Sequence, residues 1–126
     1  MEPALARPRP VAIDHDDPLR HDWRVTQRLT DDALSARVAG QARCADSGLD
    51  PDQWYPVSIE PARARREAAA AIAVCTGCPV RAQCLELSLR HWEVGKHGVW
   101  GGLVATERAQ LRHQRRWAWC RGGDAR

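Results

Sequence analysis

The chain has 126 residues, a net charge of +3 and a hydrophobic fraction of 44%, which suits one small domain. Alanine accounts for 20 residues, phenylalanine is absent, and Leu, Ile and Val together number only 22, so a large enzyme core is excluded. No apolar run approaches the roughly 20 residues of a membrane span, and the N-terminus lacks the apolar segment of a secretion signal. We therefore expect a cytoplasmic protein that needs more than aliphatic packing to hold it together.

The predicted elements of the first half are short helices separated by a polar loop. Residues 1–27 contain four prolines and little apolar periodicity, so we predict that they are mostly disordered. Thr30 is a suitable N-cap for a helix that ends near Gly40. Residues 45–57 are rich in Gly, Pro and Asp, which predicts an ordered loop. The alanine-rich segment 61–75 opens with a proline and predicts one continuous helix.

The second half predicts two further helices around a glycine-rich turn. One helix is expected to begin at Pro79 and to end at Gly95. Residues 98–102 contain three glycines, which predicts a tight turn with positive φ angles. Thr106 is the expected N-cap of a last, arginine-rich helix. The apolar stripe of the first of these helices consists of Ala82, Leu85, Leu89 and Trp92.

Together these elements predict an all-α fold with three parts. The core is a small domain of about four short helices over residues 28–104, preceded by the disordered segment 1–27 and followed by a basic helical tail, 105–126. Residues 107–126 hold six arginines and only two acidic residues. This asymmetry suits a negatively charged partner such as nucleic acid, although a merely solubilising tail fits it equally well.

Five cysteines are the strongest chemical signal in the sequence. An odd number without a secretion signal suits metal binding or redox chemistry better than a disulfide framework. Cys75 and Cys78 form a C-x2-C pair at the junction of two predicted helices, and Cys84 follows on the second helix. Cys44 would supply a fourth thiolate, which leaves Cys120 as a free thiol.

Four thiolates of this kind can hold an iron–sulfur cluster or a tetrahedral zinc ion. Structural zinc sites usually pair two short C-x-x-C loops, whereas here only one exists and the other two cysteines arrive singly. The spacing therefore favours an iron–sulfur cluster. Zinc binding, metal-free cysteines and a thiol–disulfide oxidoreductase that uses Cys75 and Cys78 remain alternatives, although no thioredoxin-like βαβ pattern is present.

Three motifs occur in order between residues 42 and 104. They are Ala42-Arg43-Cys44 with Asp50-Pro51-Asp52 and Trp54-Tyr55-Pro56, then Cys75-x2-Cys78-x5-Cys84, then Gly98-Val99-Trp100-Gly101-Gly102. In this order and spacing they resemble the WhiB-like iron–sulfur transcription regulators of actinobacteria. The aromatic pair before proline is Trp-Tyr here, where the family usually has two phenylalanines.

The resemblance implies a transcriptional regulator that responds to redox change or nitric oxide and is not an enzyme. It implies a [4Fe-4S] cluster, a complex with the C-terminal domain of the primary sigma factor of RNA polymerase, and contact with promoter DNA. The cluster ligands would be Cys44, Cys75, Cys78 and Cys84, and the sigma-factor contacts would come from Gly98, Val99, Trp100, Gly101 and Gly102. Promoter phosphates would meet Arg108, Arg112, Arg115 and Arg116.

Two aromatic sites have structural alternatives. Trp100 could pack on the cysteine pocket or anchor a partner, and the resemblance favours the partner. Trp54 and Tyr55 are expected in the core, because the chain has few other large side chains. A zinc-stapled adaptor without a sensing role is the main alternative function.

Overall fold

The computed structural model describes residues 24–120, with side chains as far as residue 115. Within that part of the chain no strand occurs, and the expected all-α fold is confirmed. The disorder predicted for residues 1–23 lies outside the described residues, whereas residues 24–26, also predicted to be disordered, form a helical turn that buries Thr26. The α-helices are α1 (Asp31–Gln41), α2 (Pro61–Glu67), α3 (Ala69–Thr76), α4 (Arg81–Arg90), α5 (Trp92–Gly95) and α6 (Ala105–Cys120), with 3-10 turns at Arg43–Asp46 and Pro51–Trp54.

Helix α1 begins where the sequence predicts it. The Thr30 hydroxyl accepts a hydrogen bond from the Ala33 N–H at 3.1 Å, which satisfies one of the free N–H groups of the first turn. Leu34 is fully buried, and α1 packs against α4. Arg90, the last residue of α4, donates to the Leu29 carbonyl at 2.7 Å and so fixes the chain just before α1.

The alanine-rich segment forms two helices, and the prediction of one continuous helix over 61–75 is wrong. Ala68 separates α2 from α3 with φ −103° and ψ 18°. The two helices have different partners. The end of α2 is tied to the preceding loop, because the Glu67 carboxylate accepts from the Val57 N–H at 2.9 Å. Helix α3 packs instead against the two 3-10 turns.

Helix α4 supplies the larger part of one apolar cluster. It begins at Arg81, two residues later than predicted, because residues 78–80 form the turn that leads out of α3. The predicted stripe is buried, with Leu85 fully inaccessible and Trp92 partly buried at its edge. Leu111 of α6 completes the cluster, so α4 lies between the cysteine region and the C-terminal helix.

The segment after α4 is a separate short turn, α5, and not the end of one long helix. His91 has φ −112° and ψ 68°, which interrupts the helix at Arg90. The turn then comes so close to α4 that a Cβ on Gly95 would lie 2.0 Å from the Ser88 carbonyl oxygen. Only glycine permits this approach.

Helix α6 begins at Ala105, and the prediction that Thr106 caps it is wrong. The Val104 N–H donates instead to the Glu107 carboxylate at 3.1 Å, so an acidic residue of the first turn satisfies the free N–H. Arg108 and Leu111 are buried. The first two turns of the predicted tail, 105–126, therefore belong to the core.

Candidate metal centre

A cavity of about 610 Å³ lies between α1, α3, α4 and the turn at residues 98–102. All four cysteines selected from the sequence line it. Most of the remaining wall is apolar, with side chains from Val38, Leu49, Trp54, Val74, Val80 and Trp100. The fold thus brings four thiols to one cavity with few competing polar groups.

The four cysteines reach this cavity from separate segments of the chain. Cys44 lies in the first 3-10 turn and is exposed, whereas Cys75 lies in the last turn of α3 and is buried. Cys78 and Cys84 are half-buried, in the turn after α3 and at the start of α4. Among residues 24–115, no three His, Cys, Asp or Glu side chains are grouped so that they could hold one metal ion.

Burial sets the protonation of the two inner thiols. It raises the pKa of Cys84 to about 12, against the opposing effect of the Gly101 backbone N–H. Burial also raises the pKa of Cys75, which the Gly102 N–H and the Arg81 guanidinium partly offset. Without a cation in the cavity both thiols are neutral at pH 7. A bound metal ion would deprotonate them, because only the thiolate is a strong ligand.

The glycine-rich turn closes one side of the cavity. Gly98, Gly101 and Gly102 all have positive φ, at 71°, 59° and 80°, as the sequence predicts. A Cβ on Gly101 would lie 2.7 Å from the Leu85 Cβ. Both this close approach and the positive φ angle therefore require glycine at this position. The Val99 N–H donates to the Trp54 carbonyl at 2.9 Å and ties the turn to the second 3-10 turn.

Trp100 lies in the cavity wall with part of its surface exposed. Its indole N–H donates to the His97 carbonyl at 2.9 Å, which fixes the ring against the turn. Both roles left open by the sequence, pocket wall and partner anchor, are compatible with this position.

The aromatic pair before Pro56 divides between core and surface. Trp54 is partly buried against the alanine-rich cluster of α2 and α3, as expected. Tyr55 is 61% exposed, so its predicted place in the core is wrong. Its ring instead lies against the backbone of Gly98, where a Cβ would come within 2.8 Å of it. Tyr55 therefore adds an exposed aromatic side chain beside the turn.

Arg108 does not face solvent, and the prediction that it contacts DNA phosphates is wrong. Its side chain is fully buried, and it donates to the carbonyls of Gly95, His97 and Leu103. Burial lowers its pKa to about 10, while the nearby Cys84 opposes that shift. Charge pattern alone could not reveal this role, because it depends on carbonyls brought together by the tertiary fold.

The other arginines predicted to contact DNA differ in the contacts that they make with residues of this protein. Arg112 stands over the Trp92 ring, 5.1 Å from its centroid. Arg115 forms an ion pair with Glu86, with 36% of its own side chain exposed. The side chains of Arg116 and Cys120 lie outside the described residues.

The donor set suits a thiolate-ligated metal centre. Thiolates are soft ligands that select zinc, copper(I) and iron–sulfur clusters. Arg81 and Arg108 supply positive charge close to the inner cysteines, which stabilises buried thiolates. No helix within residues 24–120 is both long and apolar enough to cross a membrane.

Comparison with known proteins finds WhiB transcriptional regulators among the relatives of this chain. A profile of the family described as transcription factor WhiB matches residues 39–111. The transcriptional regulator WhiB of Streptomyces coelicolor is 38% identical over 88 residues, which cover 70% of this chain and 91% of that protein. WhiB2 of Mycobacterium tuberculosis is 40% identical over 57% of this chain and 70% of its own length. No solved structure matches the chain.

Proposed function

Because the chain belongs to the WhiB family of transcription factors, we propose that it regulates transcription through a [4Fe-4S] cluster held by Cys44, Cys75, Cys78 and Cys84. Its relatives are named transcriptional regulators, which is consistent with a protein that is not an enzyme. The observation that supports the cluster is the convergence of four cysteines on one largely apolar cavity.

The cavity has room for a group larger than a single ion. The four cysteines line a space of about 610 Å³, which can accommodate several iron and sulfide ions. The single C-x2-C pair, with two cysteines that arrive separately, also favours a cluster over a structural zinc ion. When bound, the cluster would supply a redox-active centre that reacts with oxygen or nitric oxide.

The chain's own residues link such a centre to folding. Cys44, Cys75 and Cys84 lie on three different segments of the chain, the first 3-10 turn, α3 and α4. A ligand that binds the folded chain and not the unfolded chain stabilises the fold. Loss of the centre would therefore loosen the packing of the first 3-10 turn against α3.

The exposed side of the turn is the proposed docking surface for the primary sigma factor. Trp100 and Tyr55 present aromatic surface there, next to glycines that let a partner approach the backbone closely. Helix α6 follows directly, so its arginines would lie near promoter DNA in a complex with the sigma factor. With Arg108 buried, we retain Arg112, Arg115 and Arg116 for phosphate contact.

A thiol–disulfide oxidoreductase that uses Cys75 as its nucleophile is disfavoured by the burial of that thiol. A reactive thiol needs a lowered pKa. The pKa of Cys75 is raised by burial, which makes it a poor nucleophile in the metal-free chain.

Serine substitution of each cysteine tests the ligand assignment. Cys44→Ser, Cys75→Ser, Cys78→Ser and Cys84→Ser should each lose visible absorption and iron after anaerobic purification, whereas Cys120→Ser should retain both. Retention of a full iron complement by Cys44→Ser, or its loss in Cys120→Ser, would overturn the assignment of the fourth ligand.

A further inference from the structure

The backbone of the glycine–tryptophan turn is bonded to arginines from two different helices. Arg81 of α4 donates from Nε to the Gly101 carbonyl at 3.1 Å. Arg65 of α2 donates from Nη1 to the Gly102 carbonyl at 3.4 Å, and the same nitrogen forms an ion pair with Glu107 at 2.7 Å. Two consecutive carbonyls of the turn thus accept charged donors.

A third arginine holds the two ends of the same segment. Arg108 of α6 donates to the Gly95 carbonyl from Nε at 3.1 Å and from Nη2 at 2.7 Å. It also donates to the His97 carbonyl at 3.1 Å and, from Nη1, to the Leu103 carbonyl. One guanidinium therefore bridges the start and the end of residues 95–103.

The opposite side of the turn faces the cysteines. The backbone N–H of Gly101 lies beside the Cys84 thiol and that of Gly102 beside the Cys75 thiol, where each opposes the rise in the pKa of its cysteine. Each of these glycines therefore has its carbonyl held by an arginine and its N–H on the side of a cysteine. A rotation of either glycine would disturb the bond to the arginine and move the N–H away from the cysteine.

We propose that Arg65, Arg81 and Arg108 are positioning residues that orient the turn so that its N–H groups meet the Cys84 and Cys75 sulfurs. The hydrogen bonds between the arginines and the turn are present without a metal centre. The inference therefore rests on the proposed function only where it concerns the effect of the turn on such a centre. Through these contacts, a change at the two sulfurs would alter the conformation of Gly101 and Gly102, which follow Trp100 in the turn.

The arginines suit this role for physical reasons. Gly101, Gly102 and Leu103 are buried, so their carbonyls need partners within the protein. A guanidinium offers five donors in a planar fork and can serve several carbonyls at once, which a lysine ammonium cannot do in the same geometry. The glycines remove the steric barrier to rotation, so hydrogen bonds must define the turn.

Amide hydrogen exchange on the intact protein tests the inference at single residues. Arg81→Met should accelerate exchange at Gly101 and Gly102 by about tenfold, as expected for the loss of one hydrogen bond that restrains them. Amides of α1 should keep their wild-type rates. Arg108→Lys keeps the positive charge but loses the planar set of guanidinium donors, and it should accelerate exchange across residues 96–103.

Arg65→Met and Arg66→Met form a matched pair, because both remove one positive charge from adjacent positions of α2. Arg66 is exposed, whereas Arg65 contacts the turn. In protein carrying the metal centre, Arg65→Met should lower the reduction potential more than Arg66→Met does, because N–H bonds to the sulfurs help to set that potential. Equal shifts in the two variants would contradict the positioning role of Arg65.

Unchanged exchange at Gly101 and Gly102 in Arg81→Met would overturn the inference, as would equal acceleration throughout α1 and α4, which denotes general destabilisation. These outcomes are independent of the proposed function. A protein that purifies without iron would refute the cluster, yet its amide exchange would still decide whether the arginines position the turn.

Discussion

Glu86 and Arg115 join the helix that holds Cys84 to the C-terminal helix. Arg115 Nη2 donates to the Glu86 carboxylate at 2.5 Å, and Glu86 is only 2% exposed. The other carboxylate oxygen accepts from Arg90 at 2.7 Å. Because a buried carboxylate is stable only when it is paired, this group fixes α4 against α6 and against the chain before α1.

Replacement of this carboxylate should cost substantial stability. Glu86→Gln should lower the free energy of unfolding by about 1–3 kcal/mol, because two arginines lose their charged acceptor in a largely dry site. Urea denaturation measures the change. Glu93→Gln, at an exposed position of α5, is the control and should stay within about 0.5 kcal/mol of wild type. Equal stabilities of the two variants would contradict the role assigned to Glu86.

Two glycine substitutions should have opposite effects. Gly101→Ala should destabilise the protein by about 1–3 kcal/mol, because φ is 59° and the new Cβ would lie 2.7 Å from the Leu85 Cβ. Gly40→Ala should stabilise it by about 0.5–1 kcal/mol, because Gly40 lies in α1 with open space around it. Thermal unfolding of the two variants compares them directly. A stabilising Gly101→Ala would show that the turn is not constrained as described.

The cysteine spacing and the turn could be predicted because their signals are local. Positive φ angles follow from glycine itself, and the C-x2-C spacing places two thiols on one turn whatever the rest of the fold does. The all-α architecture likewise follows from alanine content, capping residues and apolar periodicity.

The misplaced residues depend on contacts between distant segments. Arg108 belongs to a run of arginines that is typical of a solvated helix, and only the carbonyls of residues 95–103 make its burial favourable. The break at Ala68 has no local signal, because alanine is the strongest helix former. Tyr55 is exposed because its ring packs beside Gly98, a contact that depends on the distant glycine-rich turn.

Acid stability should depend on Asp31. The hydrogen bond from Arg90 lowers the pKa of this carboxyl below its ordinary value of 3.8, although burial opposes the shift. Because this carboxyl has a lower pKa in the folded chain than in the unfolded chain, it stabilises the folded protein at pH values above about 3.8. This stabilisation is lost as the pH falls below about 3.8 towards the pKa of the folded state. Asp31→Asn should therefore reduce the loss of stability over this range, as measured by urea denaturation at several pH values. A pH profile of Asp31→Asn that equals the wild-type profile would contradict the assignment.

The two aromatic residues beside the cavity should separate partner binding from the metal centre. Trp100→Ala should weaken binding to the sigma-factor C-terminal domain by about 2 kcal/mol, or about 30-fold, and should also shorten the lifetime of the centre in air, because Trp100 lines the cavity. Tyr55→Ala should also weaken binding, but it should shorten the lifetime of the centre less than Trp100→Ala does, because Tyr55 lines the cavity while 61% of it is exposed to solvent.

Calorimetry and absorption on the same anaerobic sample measure both quantities. Val94→Ala is the control for exposed apolar surface, since Val94 is 60% exposed on α5 and does not line the cavity. Wild-type affinity in Tyr55→Ala, or an equal loss in Val94→Ala, would contradict the proposed docking surface.

The metal content of anaerobically purified protein tests the central claim most directly. Iron, acid-labile sulfide and zinc are measured on one sample and related to the chain concentration. We predict four irons and four sulfides per chain with little zinc, as a [4Fe-4S] cluster ligated by four cysteines requires. One zinc per chain, with neither iron nor sulfide, would contradict the cluster and would favour a zinc-stapled adaptor.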